Sequence, residues 1–170
     1  MLRVCRADCP HRFDVDAARA AVARANRLRS GLVRDKKGDD VPDFPAVAHV
    51  AVTVNDLAKS RPFYERLFDV PPVLDEDTGP FHHTVWLLGG TLFGIHQHKS
   101  PTSSDPCDEL RPGLDHVAFG CASRGELEVW EKRLNDLGIA HGGVVDAPYG
   151  SGLSFRDPDN IPLEFFAPPG

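Results

Sequence analysis

Residues 48–68, AHVAVTVNDLAKSRPFYERLF, and residues 114–139, LDHVAFGCASRGELEVWEKRLNDLGI, are two versions of one pattern. Setting His49 on His116 overlays HVAV on HVAF. Without a gap it also brings Arg66, Leu67 and Asp69 onto Arg133, Leu134 and Asp136, and Phe63 onto Trp130. Each copy opens with an alternating run that predicts a strand and continues as a helix, DLAKSRPFYERLF in the first and SRGELEVWEKRLNDLG in the second. Three further strand-like runs follow in both. They are PPVLD, HHTVWLL and TLFGIHQ after the first helix, and HGGVVDA, GLSFR and IPLEFF after the second. The order is therefore strand, helix, strand, strand, strand, twice over.

A module of four strands and one helix covers only one face of its sheet, so the other face needs a partner or a ligand. Two such modules set together enclose a shared cleft suited to a small molecule. The expected organisation is α+β: a first βαβββ module over 44–98, a linker over 99–113 (KSPTSSDPCDELRPG, rich in Pro and Ser), and a second module over 114–170. Residues 1–43 stand apart as a basic extension. DVDAARAAVARANRLRS, residues 14–30, has helical spacing, but its apolar stripe is mostly alanine. The following GLVRDKKGDDVPDFP reads as a linker.

The net charge of −6 is uneven. Residues 1–40 hold ten Lys and Arg against six Asp, which leaves nine basic against nineteen acidic residues in the rest. So acidic a body argues against nucleic acid as the main partner. No apolar run approaches the length needed to span a membrane. Four irregularly spaced cysteines and the lack of an apolar leader point to a reducing, cytoplasmic setting without disulfides. Cys5, Cys9 and His11 have the look of a zinc fragment, but no fourth ligand accompanies them.

Strand side chains alternate between faces, so parity sorts them. His49, Ala51 and Thr53 share one face, as do His116, Ala118 and Gly120; Val50, Val52, Val54 and Val117, Phe119, Cys121 form the opposite faces. The bulky faces suit a helix, and the small faces that carry histidine suit a cleft. In IPLEFFAP, Glu164 lies between Leu163 and Phe165. In TLFGIHQH, Gly94 takes the position of Glu164 while His96 and His98 follow on the same face. A lone strand histidine is more often a hydrogen-bonded core residue than a ligand. Here the recurrence at matched positions points further: His49, His116 and Glu164 are the donor set of a mononuclear divalent metal site with open positions, and His96 is a candidate fourth ligand. Neighbouring His82 and His83 must point to opposite faces.

At these residues, and at SFRDPDNIPLEFF, the sequence resembles the vicinal oxygen chelate superfamily, which includes glyoxalases, fosfomycin resistance proteins, extradiol dioxygenases and bleomycin resistance proteins. The resemblance covers about residues 46–168. It implies paired βαβββ modules in a curved, open barrel-like sheet with helices outside, around a metal held by His49, His116 and Glu164. Glyoxalase-like members also use a glutamate where this chain has Gly94, which favours a three-ligand pattern unless His96 substitutes. His98 and Tyr149 are candidates for acid–base roles near the substrate, as in extradiol enzymes, and RDPDN is a turn. The expected function is that of a metal-dependent enzyme, of lyase, isomerase, ring-cleaving dioxygenase or thiol transferase type. It would chelate a small substrate through two oxygens on an iron, manganese, zinc or nickel ion. The alternative is sequestration of a small hydrophobic compound without catalysis. A homodimer, with modules exchanged between chains, is compatible with the resemblance.

Overall fold

The computed structural model describes residues 45–101 and 103–169. The expected N-terminal extension over 1–43, with its helix and its Cys5, Cys9 and His11, lies outside them. The described elements run β1 His49–Thr53, α1 Leu57–Phe68, β2 Leu74–Asp77, β3 Phe81–Leu88, β4 Thr91–His98, β5 Val117–Gly120, α2 Arg124–Asp136, β6 His141–Ala147, β7 Gly150–Arg156 and β8 Pro162–Ala167. This is the predicted βαβββ order, twice. PPVLD contributes only its last two residues to a strand, because each Pro lacks the N–H that a ladder needs.

Both helices start on side-chain caps. Asp56 accepts from the Ala58 N–H at 2.9 Å, and Ser123 accepts from the Glu126 N–H. Glu126 in turn reaches back to the Ala122 N–H at 2.7 Å, a reciprocal arrangement that satisfies donors a helix start leaves free.

The strands form two separate four-stranded sheets, ordered β1-β4-β3-β2 and β5-β8-β7-β6. In each, the first strand runs parallel to the last, and the other pairs are antiparallel. The helix faces make the core: Val52, Val54, Phe93, Ile95 and Trp86 in the first sheet, Cys121, Leu153, Phe155, Leu163 and Phe165 in the second. Trp130 of α2 stacks on Phe165 at 4.2 Å. The overlay of Phe63 on Trp130 thus pairs two helix residues that both belong to the core, the first buried and the second packed against it.

The two modules join through their helix sides. Tyr64 of α1 donates to Asp157 in the turn before β8, and Ser60 donates to Asp159 in the same turn. Arg133 of α2 donates to the Arg66 carbonyl at the end of α1, where a cation complements the helix dipole. Phe68 and Phe93 meet Phe119 edge-on or tilted, each 5.8 Å away. One apolar core therefore spans both modules. On the faces opposite the helices, His49, Ala51, Thr53, His116, Ala118 and Gly120 are all exposed. Among the described residues β1 and β5 are both edge strands, so the eight described strands do not make one continuous sheet.

Candidate metal site

The open face of the second module carries a preorganised donor pair. His116 stands one residue before β5, and its Nε2 lies 3.7 Å from Glu164 Oε2. Two donors that share an ion at about 2.1 Å lie roughly 3–3.4 Å apart, so a small adjustment serves. The other ring nitrogen, Nδ1, bonds Asp115 Oδ1 at 2.6 Å, which fixes the tautomer with the Nε2 lone pair directed at the glutamate side. The orientation of Glu164 depends on a glycine. A Cβ built on Gly152 would stand 2.4 Å from Glu164 Oε1, so the carboxylate lies in a space that only glycine leaves open. Sequence reasoning missed both Asp115 and Gly152. The first had a signal, an acid directly before a ligand histidine. The second shows only once β7 is placed beside β8.

The first module is richer in histidine. Ala51 pairs with Gly94 and Ala118 pairs with Glu164, so the register makes Gly94 and Glu164 equivalent, as the repeat predicts. His96 pairs with His83, and His98 with Phe81, which places Phe81, His83, His96 and His98 on the open face beside β1. Phe81 stacks on His96 at 4.8 Å and 10°, and His83 meets the same ring edge-on at 5.1 Å. Among the described residues His83 Nε2 is buried without a hydrogen-bond partner, 3.8 Å from Glu76. Burial, followed by the neighbouring His83, His98 and His49, lowers the His96 pKa, which keeps the ring neutral. His82 points the other way and bonds Asp75 at 2.7 Å.

His116 and Glu164 are thus brought together, while His49 belongs to the other sheet, in the neighbourhood of His96. Among the described residues no three His, Cys, Asp or Glu side chains gather closely enough to hold a metal ion. Tyr149 is 75% exposed in the turn between β6 and β7, and His98 is exposed at the end of β4. RDPDN forms a turn in which Asp157 accepts from the Asp159 and Ile161 N–H groups, as read from sequence. A cleft of about 830 Å3 is lined by residues of β1, the β3–β4 turn and β5, and Val47, Leu92, Leu114, His116, Phe119 and Trp130 are among them. No helix of the described residues is long and apolar enough to cross a membrane.

Tandem βαβββ modules whose open faces carry imidazoles and a carboxylate define the class: a paired-module fold with its chemistry on the sheet face away from the helices. The chain belongs to the Glyoxalase/Bleomycin resistance protein/Dioxygenase superfamily, whose family model matches residues 46–165. A domain of that description from Frankia sp. EAN1pec superposes with a TM-score of 0.68 at 34% identity, over 75% of this chain and 94% of that one. The metallothiol transferase FosB of Staphylococcus saprophyticus is 27% identical over 121 residues, covering 70% of this chain and 74% of its own. A lactoylglutathione lyase from Agrobacterium tumefaciens shares the fold, with a TM-score of 0.58 at 21% identity over 74% of this chain and 96% of its own.

Proposed function

We propose that the protein is a metal-dependent enzyme of the thiol transferase type, acting on a small electrophile that presents two oxygens to a divalent ion. The observation that carries this reading is the His116–Glu164 pair at 3.7 Å, held in orientation by Asp115 and by the space over Gly152. FosB, a metallothiol transferase, favours thiol transfer among the reactions the donor set admits. With an epoxide as electrophile, the S–C bond forms as a C–O bond breaks, and the released oxygen takes the proton given up by the thiol. When bound, the ion supplies Lewis-acid stabilisation of that oxygen. The chain's own part is to hold substrate against an open face lined by Ala51, Ala118 and Gly120, whose small side chains leave room for it. The apolar walls of the adjoining cleft exclude water. Catalysis is favoured over sequestration because the relatives of Staphylococcus saprophyticus and Bacillus licheniformis carry the name metallothiol transferase.

His49 completes the donor set in this reading, and it does so from a second copy of the chain. The exposed small-residue faces and, among the described residues, the edge positions of β1 and β5 support a pair of chains in which one first module faces the other's second module. The test is complementation. His49→Ala and His116→Ala variants should each lose bound metal, measured by elemental analysis against about one equivalent in the wild type. Coexpressed, they should recover roughly a quarter of that content, because half the dimers are mixed and each mixed dimer rebuilds one of two sites. A site assembled within one chain would recover none. Metal-loaded protein that fails to turn over thiols with epoxides would overturn the transferase assignment.

A further inference from the structure

The two modules differ in what their last strands carry on the open face. In the second module Glu164 stands beside Ala118, one pleat from His116. In the first, Gly94 stands beside Ala51 and offers no side chain at all. The space is nevertheless filled. His96 folds back along β4 so that its Nε2 lies 3.3 Å, and its Cδ2 3.6 Å, from where a Gly94 Cβ would stand. An imidazole nitrogen thus occupies the place of the missing side chain, on the same face as His49 of the neighbouring strand. Two contacts hold it there: Phe81 stacks flat on the ring at 4.8 Å, and His83 abuts it edge-on. The matched residue of the second module, Phe166, instead covers Gly150 with its ring tip 2.4 Å from a Cβ there. A greasy ring at that register therefore takes another course, and among the described residues neither nitrogen of His96 has a hydrogen-bond partner to account for the fold-back.

We propose that His96 is the second donor of the first module, replacing by an imidazole from one pleat further on the carboxylate that its sheet lacks. This rests on the assignment of His49, His116 and Glu164 as ligands. The complete set is then three imidazoles and one carboxylate. Two consequences follow. Imidazole-rich sites suit zinc, nickel and iron, whereas carboxylate-rich sites suit manganese and magnesium, so this site selects a nitrogen-preferring ion. With one carboxylate only, a divalent ion keeps a net positive charge, which favours a substrate that binds as an oxyanion.

Equilibrium binding of Zn2+, Ni2+ and Mn2+ to the full chain tests this without reference to turnover, with Cu2+ electron spin-echo spectra as a count of bound imidazoles. Wild type should bind Zn2+ and Ni2+ more tightly than Mn2+ and show three imidazoles. His96→Ala should lose about tenfold or more in Zn2+ affinity, change little for Mn2+, and show two. Gly94→Ala, which crowds the His96 ring without removing it, should weaken Zn2+ in the same direction. If His116→Ala abolishes binding while His96→Ala alters neither affinity nor imidazole count, His96 is no ligand and the three-residue site stands. If His116→Ala also leaves binding intact, the three-residue assignment itself fails. Circular dichroism of each variant separates loss of a ligand from loss of fold.

Discussion

Tyr64 Oη donates to Asp157 Oδ2 at 2.9 Å across 93 residues of sequence, which ties the first helix to the last turn. Both side chains are buried. Asp157 already accepts from the Asp159 and Ile161 N–H groups, so the hydroxyl is the third donor on one carboxylate. Burial pushes both pKa values up, the tyrosine well above its ordinary range, since neither charge is welcome there. The bond joins the modules alongside the Ser60–Asp159 and Arg133–Arg66 hydrogen bonds and the aromatic contacts of Phe119, and of these it is the one between two buried side chains.

Tyr64→Phe keeps the ring and removes the donor. It should cost about 1–3 kcal/mol, the range for leaving one buried acceptor short. Urea unfolding followed by fluorescence measures it. A midpoint unchanged within error would mean that the aromatic packing and the remaining hydrogen bonds set the module arrangement without it.

Much of this architecture was legible in the chain. The parity of His49, Ala51, Thr53 against Val50, Val52, Val54 correctly separated open face from core, because alternation in a strand is a local property. The repeat also placed Gly94 on Glu164, and the observed registers agree. What lay beyond sequence were relations set by neighbours on other strands: Glu164 leaning over Gly152, His96 folding over Gly94, and the junction of modules through their helix sides. The last leaves His49 away from His116 and Glu164, which no spacing rule reveals.

Gly152→Ala turns the first of those relations into a measurement. Gly152 is not in the left-handed region, so alanine suits its strand conformation. The atoms nearest the new methyl belong to the end of a flexible glutamate, which can swing aside. Stability should change by less than about 1 kcal/mol, yet metal affinity should fall about tenfold or more because the displaced carboxylate no longer faces His116. Titration calorimetry with Zn2+ and thermal unfolding together report both. Unaltered affinity would show that Glu164 binds nothing from this position.

Asp115→Asn probes the hydrogen bond behind the ligand. The residue is largely exposed, so the fold should tolerate the change. Without the carboxylate the imidazole loses its fixed tautomer and some basicity, for an expected loss of about 10–100-fold in metal affinity. Equal affinity in mutant and wild type would remove Asp115 from the site.

Acid should reach the linker before the core. Glu109 forks onto Arg156, and that contact holds its carboxyl down to about 2 from an ordinary 4.5. A lowered folded-state pKa means that the pair stabilises the fold fully above pH 4.5 and that the contribution disappears as pH falls toward 2. Asp157 has the opposite sign. Its raised pKa favours the fold most where the group is protonated, so acidification relieves a penalty there. The Glu109 contribution should decline between pH 4.5 and 2, whereas the Asp157 penalty is already relieved once the pH has fallen to the ordinary 3.8, so Glu109→Gln should lower the denaturant midpoint at pH 6 and flatten its fall below pH 4.5. Midpoints collected at half-unit intervals test this, and parallel curves for wild type and variant would show that Arg156 does not hold the linker in solution.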